Sequence, residues 1–436
     1  MERLSRAAGW AWTLLLASML GGCATYSATR GALEASLAAG QYEQALKQLA
    51  EQPGPERDRV LHLLDRAMLQ RLAGDYGASN ASFEEAKALI EEFSTVSATE
   101  TSATFIINDA TTTYVGEPFE QALLHAYAAL NYLDLGNDEA ARVEALQVDL
   151  TLEALAEDDD GPLASDPFAR YLAGIIYERR GELSDALISY RKAYQAYKAH
   201  AGLYPIDIPA SLKEDLLRLT ARVGLKNEHR KFREEFGVSA WKDPGRKEGE
   251  LIVLLHNGLA PIKREDRAVI LPPRAPQVVT IALPRYEPRP AGVSAARVVA
   301  GDREARTEIV EDVNAIAQHT LSGRMPAITA RALARAVAKF KITESAQKEN
   351  KAAGLITNVA GLLTERADTR SWLTLPAEIQ MARLRLPAGD HHVRLELLSP
   401  AGGVVETHEF DVSVAKGGQT VLSRHWIPSL SPRRTP

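Results

Sequence analysis

A short motif returns four times in the first half of the chain, and its spacing limits what that half can become. It reads Ala39-Gly40-Gln41-Tyr42 with Ala45, then Ala73-Gly74-Asp75-Tyr76 with Phe83 and Ala86. It returns as Leu135-Gly136-Asn137 with Ala141 and Ala145. The fullest copy has Gly174, Tyr177, Gly181, Leu183, Ala186, Tyr190 and Ala193. The first two turn glycines, Gly40 and Gly74, stand 34 residues apart; the next gaps, 62 and 45, are one such period plus insertions. From Gly31 to about Phe236 the apolar residues recur at helical spacing, and proline is mostly confined to breaks. Each turn glycine falls where a first helix must end in a left-handed backbone, which glycine adopts freely. Gly174, Ala186 and Ala193 are small enough for paired helices to approach closely, and Tyr177 and Tyr190 fill the gap between them.

Two helices repeating at 34 residues is the tetratricopeptide (TPR) period, so the sequence predicts an all-α TPR-like helical array over 31–236. Arg170, Gln70 and Asp138 depart from the pattern, each standing where a large apolar or aromatic residue is usual. In the resemblance to TPR proteins, first-helix residues at fixed offsets before the turn glycine line a partner-binding groove. Carried over from Gly181, these are Phe168, Tyr171, Ile175, Glu178 and Arg179. From Gly136 they are Leu123, Ala126, Leu130, Leu133 and Asp134; from Gly74 they include Leu64, Met68 and Arg71. Large side chains that anchor, with charges that steer, suit a peptide or protein segment. Two insertions interrupt the array. Near 95–118, β-branched runs at 101–107 and 111–115 predict a pair of short strands. The acidic stretch 157–162 lacks the alternating ligands and closing Glu of a calcium loop, so it is read as a solvated loop.

Charge divides the 436 residues unevenly. The net charge is −6, but residues 31–200 carry 13 Lys/Arg against 29 Asp/Glu, whereas 201–436 carry 35 against 27. Such a sum implies no nucleic-acid partner. It does imply that a basic segment is drawn to the helical half, and the chain's own second half is the nearest one. After a linker at 237–249 the periodicity changes, and an α+β region is predicted over 250–436. Strands are expected at 251–255, 278–283 and 296–299, then helices at 312–321, 326–342 and 352–366. Strands at 379–386, 393–398, 404–414 and 420–426 follow, and this ending resembles a small β-sandwich of about 60 residues. Arg331, Arg335 and Lys339 share one helical face. A contact for phosphate, glycan or the acidic half is one reading; a solvated face is the preferred one. The Gly/Ala/Leu/Val-rich stretch 352–363 reads as buried core rather than a membrane-touching helix.

Arg3 and Arg6, an apolar run from 7 to 20 and then Leu20-Gly21-Gly22-Cys23 make a secretory leader, too short for a permanent bilayer span. Its end resembles the lipobox of bacterial lipoproteins, which implies cleavage after residue 22 and acylation of Cys23, the only cysteine, with residues 23–30 as a lipidated tether. Ala24 in place of aspartate implies, by the same resemblance, an outer-membrane anchor with the body in the periplasm. Two or three acyl chains anchor stably where one is marginal. No catalytic motif is present, and the adjacent His391 and His392 would face opposite sides of a strand and cannot share a metal. Neither a cofactor nor a metal is expected. Asp368-Thr369-Arg370-Ser371-Trp372 reads as a helix-end cap that ties its loop down, with a local Arg370–Asp368 bond.

The stretches 116–120, 129–133, Asn257-Gly258-Leu259-Ala260-Pro261-Ile262-Lys263, and 367–372 with Leu375-Pro376 together resemble an uncharacterised family of TPR-containing proteobacterial lipoproteins. The resemblance implies a membrane-anchored, non-catalytic scaffold in envelope or peptidoglycan assembly. The envelope partner it suggests is a lipoprotein activator of penicillin-binding proteins. It supplies no catalytic residues. The alternative is an envelope ligand-binding protein or enzyme with a pocket between the two halves.

Overall fold

The structure, a computed structural model, describes residues 31–96, 109–158, 165–270, 279–289, 292–349 and 366–428. The leader, Cys23, the tether, residues 101–107 and 159–162, and most of 352–366 lie outside them. Among the described residues, ten α-helices come first, in five hairpins. They are α1 (Gly31–Ala38) with α2 (Tyr42–Glu51), α3 (Arg59–Leu72) with α4 (Tyr76–Val96), and α5 (Pro118–Asp134) with α6 (Asp138–Asp158). Then come α7 (Pro167–Arg179) with α8 (Leu183–His200), and α9 (Ala210–Arg222) with α10 (Lys226–Glu235). Gly40, Gly74, Gly136 and Gly181 all take positive φ, between +69° and +82°. Each turn closes in the same way: the Gly181 N–H donates to Glu178 O at 2.8 Å and the Glu182 N–H to Tyr177 O at 2.9 Å. Such bonds satisfy carbonyls that the end of a helix leaves over. A fifth turn at Gly224, φ +83°, extends the array beyond the four copies legible in the sequence. Inside the fourth hairpin, a Cβ on Gly174 would fall within the ring of Tyr190, which is why α7 and α8 can close.

Only the second of the two expected strands falls in the described residues. Residues 109–111 form a 3₁₀ turn, and 112–115 are not a strand and pair with none among the described residues; the Tyr114 N–H donates to Arg57 O at 2.9 Å. Its phenol donates to the buried Glu120 carboxylate, and this bond draws the segment onto the helices rather than into a ladder.

Beyond the linker lie β1 (Gly249–Asn257), β2 (Ile262–Ile270), β3 (Val279–Glu287), β4 (Ala295–Ala300), β5 (Arg303–Arg306) and β6 (Glu308–Asp312). Next is α11 (Val313–Glu349), then β7 (Glu378–Leu386), β8 (Gly389–Leu398), β9 (Val404–Val414) and β10 (Gln419–Trp426). The two helices expected at 312–321 and 326–342 are one. Pro326 stands inside α11 on an exposed stretch, where water can serve the carbonyl that proline leaves unbonded. Two four-stranded sheets, β10-β1-β7-β6 and β5-β4-β8-β9, face each other across a core that includes Val253, Leu255, Leu384, Val298, Val393 and Leu395. The sandwich is therefore larger than the last 60 residues, because β7 and β8 take their partners from strands that precede α11. A separate ribbon of β2 and β3 packs on α11 through Ile281, Ala332 and Ala336.

The first sheet is buried on both faces. Leu251, Val253 and Leu255 of β1 enter the sandwich core, while Ile252 and Leu254 join the core of the helical array. The unbroken apolar run is explained by this double burial.

Candidate functional site

The groove residues named from the sequence do come together on the concave face of the array, and the chain's own sheet covers them. Phe168, Tyr171, Ile175, Leu130, Leu123, Ala126, Leu64 and Met68 belong to one hydrophobic core with Ile252, Leu254, Val310, Ile379, Met381 and Trp372 of the second half. No apolar floor is left for an external segment there. Of the two alternatives open in the sequence, the self-occupied groove is the observed one.

Alternation along the strands decides what meets the helices. On β7, Ile379 and Met381 are followed by Arg383, whose guanidinium pairs with Asp215 of α9 and Glu250 of β1 and donates to the Tyr171 hydroxyl at 3.0 Å. Burial pushes the Asp215 carboxyl up against the pull of Arg383 and Arg218. Burial also pushes Glu250 up, but Arg383 outweighs it and holds that carboxyl below its usual range. Glu178 pairs with Arg218 and accepts from the Tyr190 hydroxyl at 2.9 Å. Arg179 bonds Asp138 at 2.8 Å and donates to the Gln419 carbonyl. Arg71 pairs with Asp134 at 3.1 Å and donates to Ser423 Oγ at 2.7 Å.

The charge asymmetry of the sequence becomes a set of bonds across the seam. Lys263 and Arg324 both pair with Glu117, Arg370 reaches Asp58 at 3.1 Å, and Arg289 lies 3.7 Å from Glu34. The 368–372 loop is tied down as expected: Asp368 accepts from Arg370 at 2.7 Å, and Arg370 also donates to Thr112 O at 2.7 Å. Trp372 then sits edge-on to Phe83 and Tyr127, with its backbone N–H on Glu120 at 2.8 Å. Burial, reinforced by Glu117, pushes the Glu120 carboxyl up to about 7.

One contact in the seam has the outline of a catalytic pair. His256 Nε2 lies 2.9 Å from Ser423 Oγ, and its Nδ1 lies 2.9 Å from the Tyr127 hydroxyl. Sequence reasoning missed it because the three residues are far apart in the chain. Activation of the serine needs an imidazole that can accept charge and a path for substrate. Burial lowers the His256 pKa well below its usual value, with His425 and Arg71 adding to the effect. His425 stacks on it at 4.3 Å, and His256, Ser423 and Tyr127 are buried between the sheet and the array. The third member is a phenol, which supplies no negative charge to hold an imidazolium. This is an interior network.

Two openings are bounded by described residues. On the outer side, α4, α5 and α6 bound a groove of about 930 Å³. At its floor Glu144 bonds His125 and Lys87, each at 2.8 Å, and Val143 and Leu150 are exposed at its rim. The second is a polar cleft of about 270 Å³ at one end of the seam. Among the described residues, no group of three or more His, Cys, Asp or Glu is arranged to hold a metal. His392 reaches Asp411 at 3.0 Å while His391 lies 2.8 Å from Pro387 O. The solvated face expected on α11 holds for Arg331, which is exposed, but not for Arg335, which is fully buried. No helix among the described residues is long and apolar enough to cross a membrane.

These features define a class: a TPR-like array of helical hairpins whose concave face is filled by one sheet of a β-sandwich in the same chain. No protein-family model matches the chain, and no curated protein matches it. Among solved structures, MamA residues 41 to the end, from Desulfovibrio magneticus RS-1, is 17% identical and matches at a TM-score of 0.29 over 48% of this chain and 89% of its own. MamA from AMB-1 is 16% identical, TM-score 0.28, over 49% and 92%. BtubC (BKLC) from P. vanneervenii is 14% identical, TM-score 0.30, over 50% and 79%. Overlaps this loose carry nothing about function.

Proposed function

We propose that the protein is a non-catalytic interaction scaffold of the bacterial envelope, anchored in the outer membrane through acylated Cys23 with its body in the periplasm. The observation that supports the scaffold reading is the sealed concave face. The array and the sheet share one core, so the two halves act as a single rigid body whose partners meet its outer surfaces. Among the described residues, the Ser423, His256 and Tyr127 group inside the seam is buried out of reach of a substrate. The anchor and the envelope partner, a lipoprotein activator of penicillin-binding proteins, rest on the lipobox and on the family resemblance.

Two measurements test this. Cys23→Ser should release a soluble or uncleaved form; a mature-sized form that still fractionates with outer membrane overturns the anchor. A photo-crosslinking residue at Leu150 on the outer groove, or at the exposed Arg394 on β8, should capture that activator in intact cells. Failure at both positions, with normal protein levels, overturns the assigned partner.

A further inference from the structure

The polar cleft at the end of the seam carries more positive than negative charge. Its walls are the last turn of α7, α9, the linker, the start of β1, the end of β7 and the β9–β10 turn, and six arginines line it against three glutamates. Four of the arginines are neutralised: Arg179 by Asp138, Arg180 by Glu139 at 2.6 Å, Arg218 by Glu178 and Asp215, and Arg222 by Asp243 at 3.0 Å. The glutamates are engaged as well, Glu178 by Arg218, Glu250 by Arg383 and Glu248 by Arg303 at 2.7 Å. Arg246 and Arg385 remain: neither side chain makes a hydrogen bond or a close ion pair with a described residue, although Arg385 is near enough to Glu248 and Glu250 to help hold both carboxyls below their usual range.

We propose that this cleft binds a phosphate-bearing small molecule, held by Arg246 and Arg385. Arg385 follows Arg383 by two residues on β7, so it points to the same, array-facing side of the sheet. It is only partly exposed, so its guanidinium is set in the wall rather than waving in solvent. Arg246 comes from the linker and packs on the β9–β10 turn, where a Cβ on Gly417 (φ +66°) would lie 3.4 Å from Arg246 Cβ. The two cations thus come from different segments of the lining, the linker and the end of β7. A guanidinium fork matches the oxygens of phosphate in pairs, which a compact ammonium does not. Gln419 adds a buried side-chain amide oxygen with no hydrogen-bond partner in the same cleft. Rotating that amide by half a turn presents its N–H₂ to an anion instead. A volume of about 270 Å³ admits a phosphate ester with a small organic group. The inference is independent of the scaffold reading and survives its failure.

The test is calorimetric titration of the full chain with glycerol phosphate and with inorganic phosphate, at fixed ionic strength, with acetate as control anion. Saturable binding by glycerol phosphate is expected below about 1 mM, with acetate at least about tenfold weaker. Arg246→Ala/Arg385→Ala should weaken it by roughly tenfold or more, while Arg394→Ala leaves it unchanged. Should the double variant melt early, Arg246→Glu alone, on the exposed linker, must still weaken binding. Absence of saturable binding by about 10 mM, or equal affinity in these cleft variants, overturns the proposal. Co-sedimentation of the Cys23→Ser chain with phosphatidylglycerol vesicles separates the two sources. Sedimentation that the cleft variants abolish assigns a lipid headgroup, and none, beside tight glycerol phosphate binding, assigns a soluble ester.

Discussion

Arg383→Met is the perturbation that most directly questions the seam. The arginine side chain is 7% exposed, and its two carboxylate partners, Asp215 and Glu250, are 2% and 15% exposed. Removing the cation leaves both acids facing each other and takes a donor from Tyr171. Breaking a buried pair by deleting one partner typically costs about 3–5 kcal/mol, because the survivor keeps the desolvation penalty without the compensation. Asp215 retains Arg218, which places the expected loss nearer about 3 kcal/mol than 5. The assay is urea unfolding at pH 7, followed by far-UV circular dichroism for the helices and by tryptophan fluorescence, to which buried Trp372 contributes. The two signals should move together, since one core spans both halves. Neutralising the stranded acids as well, in Arg383→Met/Asp215→Asn/Glu250→Gln, should recover at least half of the loss. A cost under about 1 kcal/mol for Arg383→Met, or a triple variant no better than the single one, would refute the buried network.

Gly174→Ala should destabilise the fourth hairpin because the new methyl collides with Tyr190, whereas Gly323→Ala, in open space on α11, should stabilise by about 0.5–1 kcal/mol; thermal melts of both decide. Gly181→Val should cost about 1–2 kcal/mol from its left-handed backbone, φ +81°. Gly402, φ +83°, should show a similar cost, and unchanged melts for both would contradict the turn geometry. Glu311 is fully buried, and burial, then the neighbouring Asp166 and Asp312, pushes its carboxyl well up against the weaker pull of the Phe168 backbone N–H. An acid raised on folding stabilises fully below its unfolded pKa, and this contribution fades as pH rises toward the folded value. Glu311→Gln should therefore gain on the native chain steadily from pH 5 to 8, and a constant gap in melting temperature would count against the assignment.

The helical half was legible because its turn glycines carry a backbone requirement that no other residue meets cheaply. Gly40, Gly74, Gly136 and Gly181 all stand where expected, and Gly224 escaped because Val223 and Leu225 beside it lack the small-aromatic signature of the other turns. In the second half, the apolar run of β1 was readable, but β2 was not. Lys263 to Arg267 look like a solvated loop, although they pair with β3 through opposite charges such as Arg285–Asp266 at 2.9 Å. The groove residues were identified from the repeat register alone. What the sequence could not supply was their occupant, since the match of Arg383 to Asp215 or of Arg71 to Ser423 joins positions 168 and 352 residues apart. The Ser423–His256 contact was invisible for the same reason.

The parallel pairing of β1 with β10 bears on how the molecule is made. About 160 residues separate the end of β1 from the start of β10, so the ribosome delivers the helices and β1 well before the strand that completes their cover. Closing so long a loop is entropically slow, and contacts of this range dominate folding times. Until β10 arrives, Arg71, Tyr127 and one edge of β1 lie open, and an unpaired edge of that kind invites strands from other chains. The nascent protein thus passes through a stage in which its array is an acceptor groove, and a holding chaperone or rapid export would be most useful then.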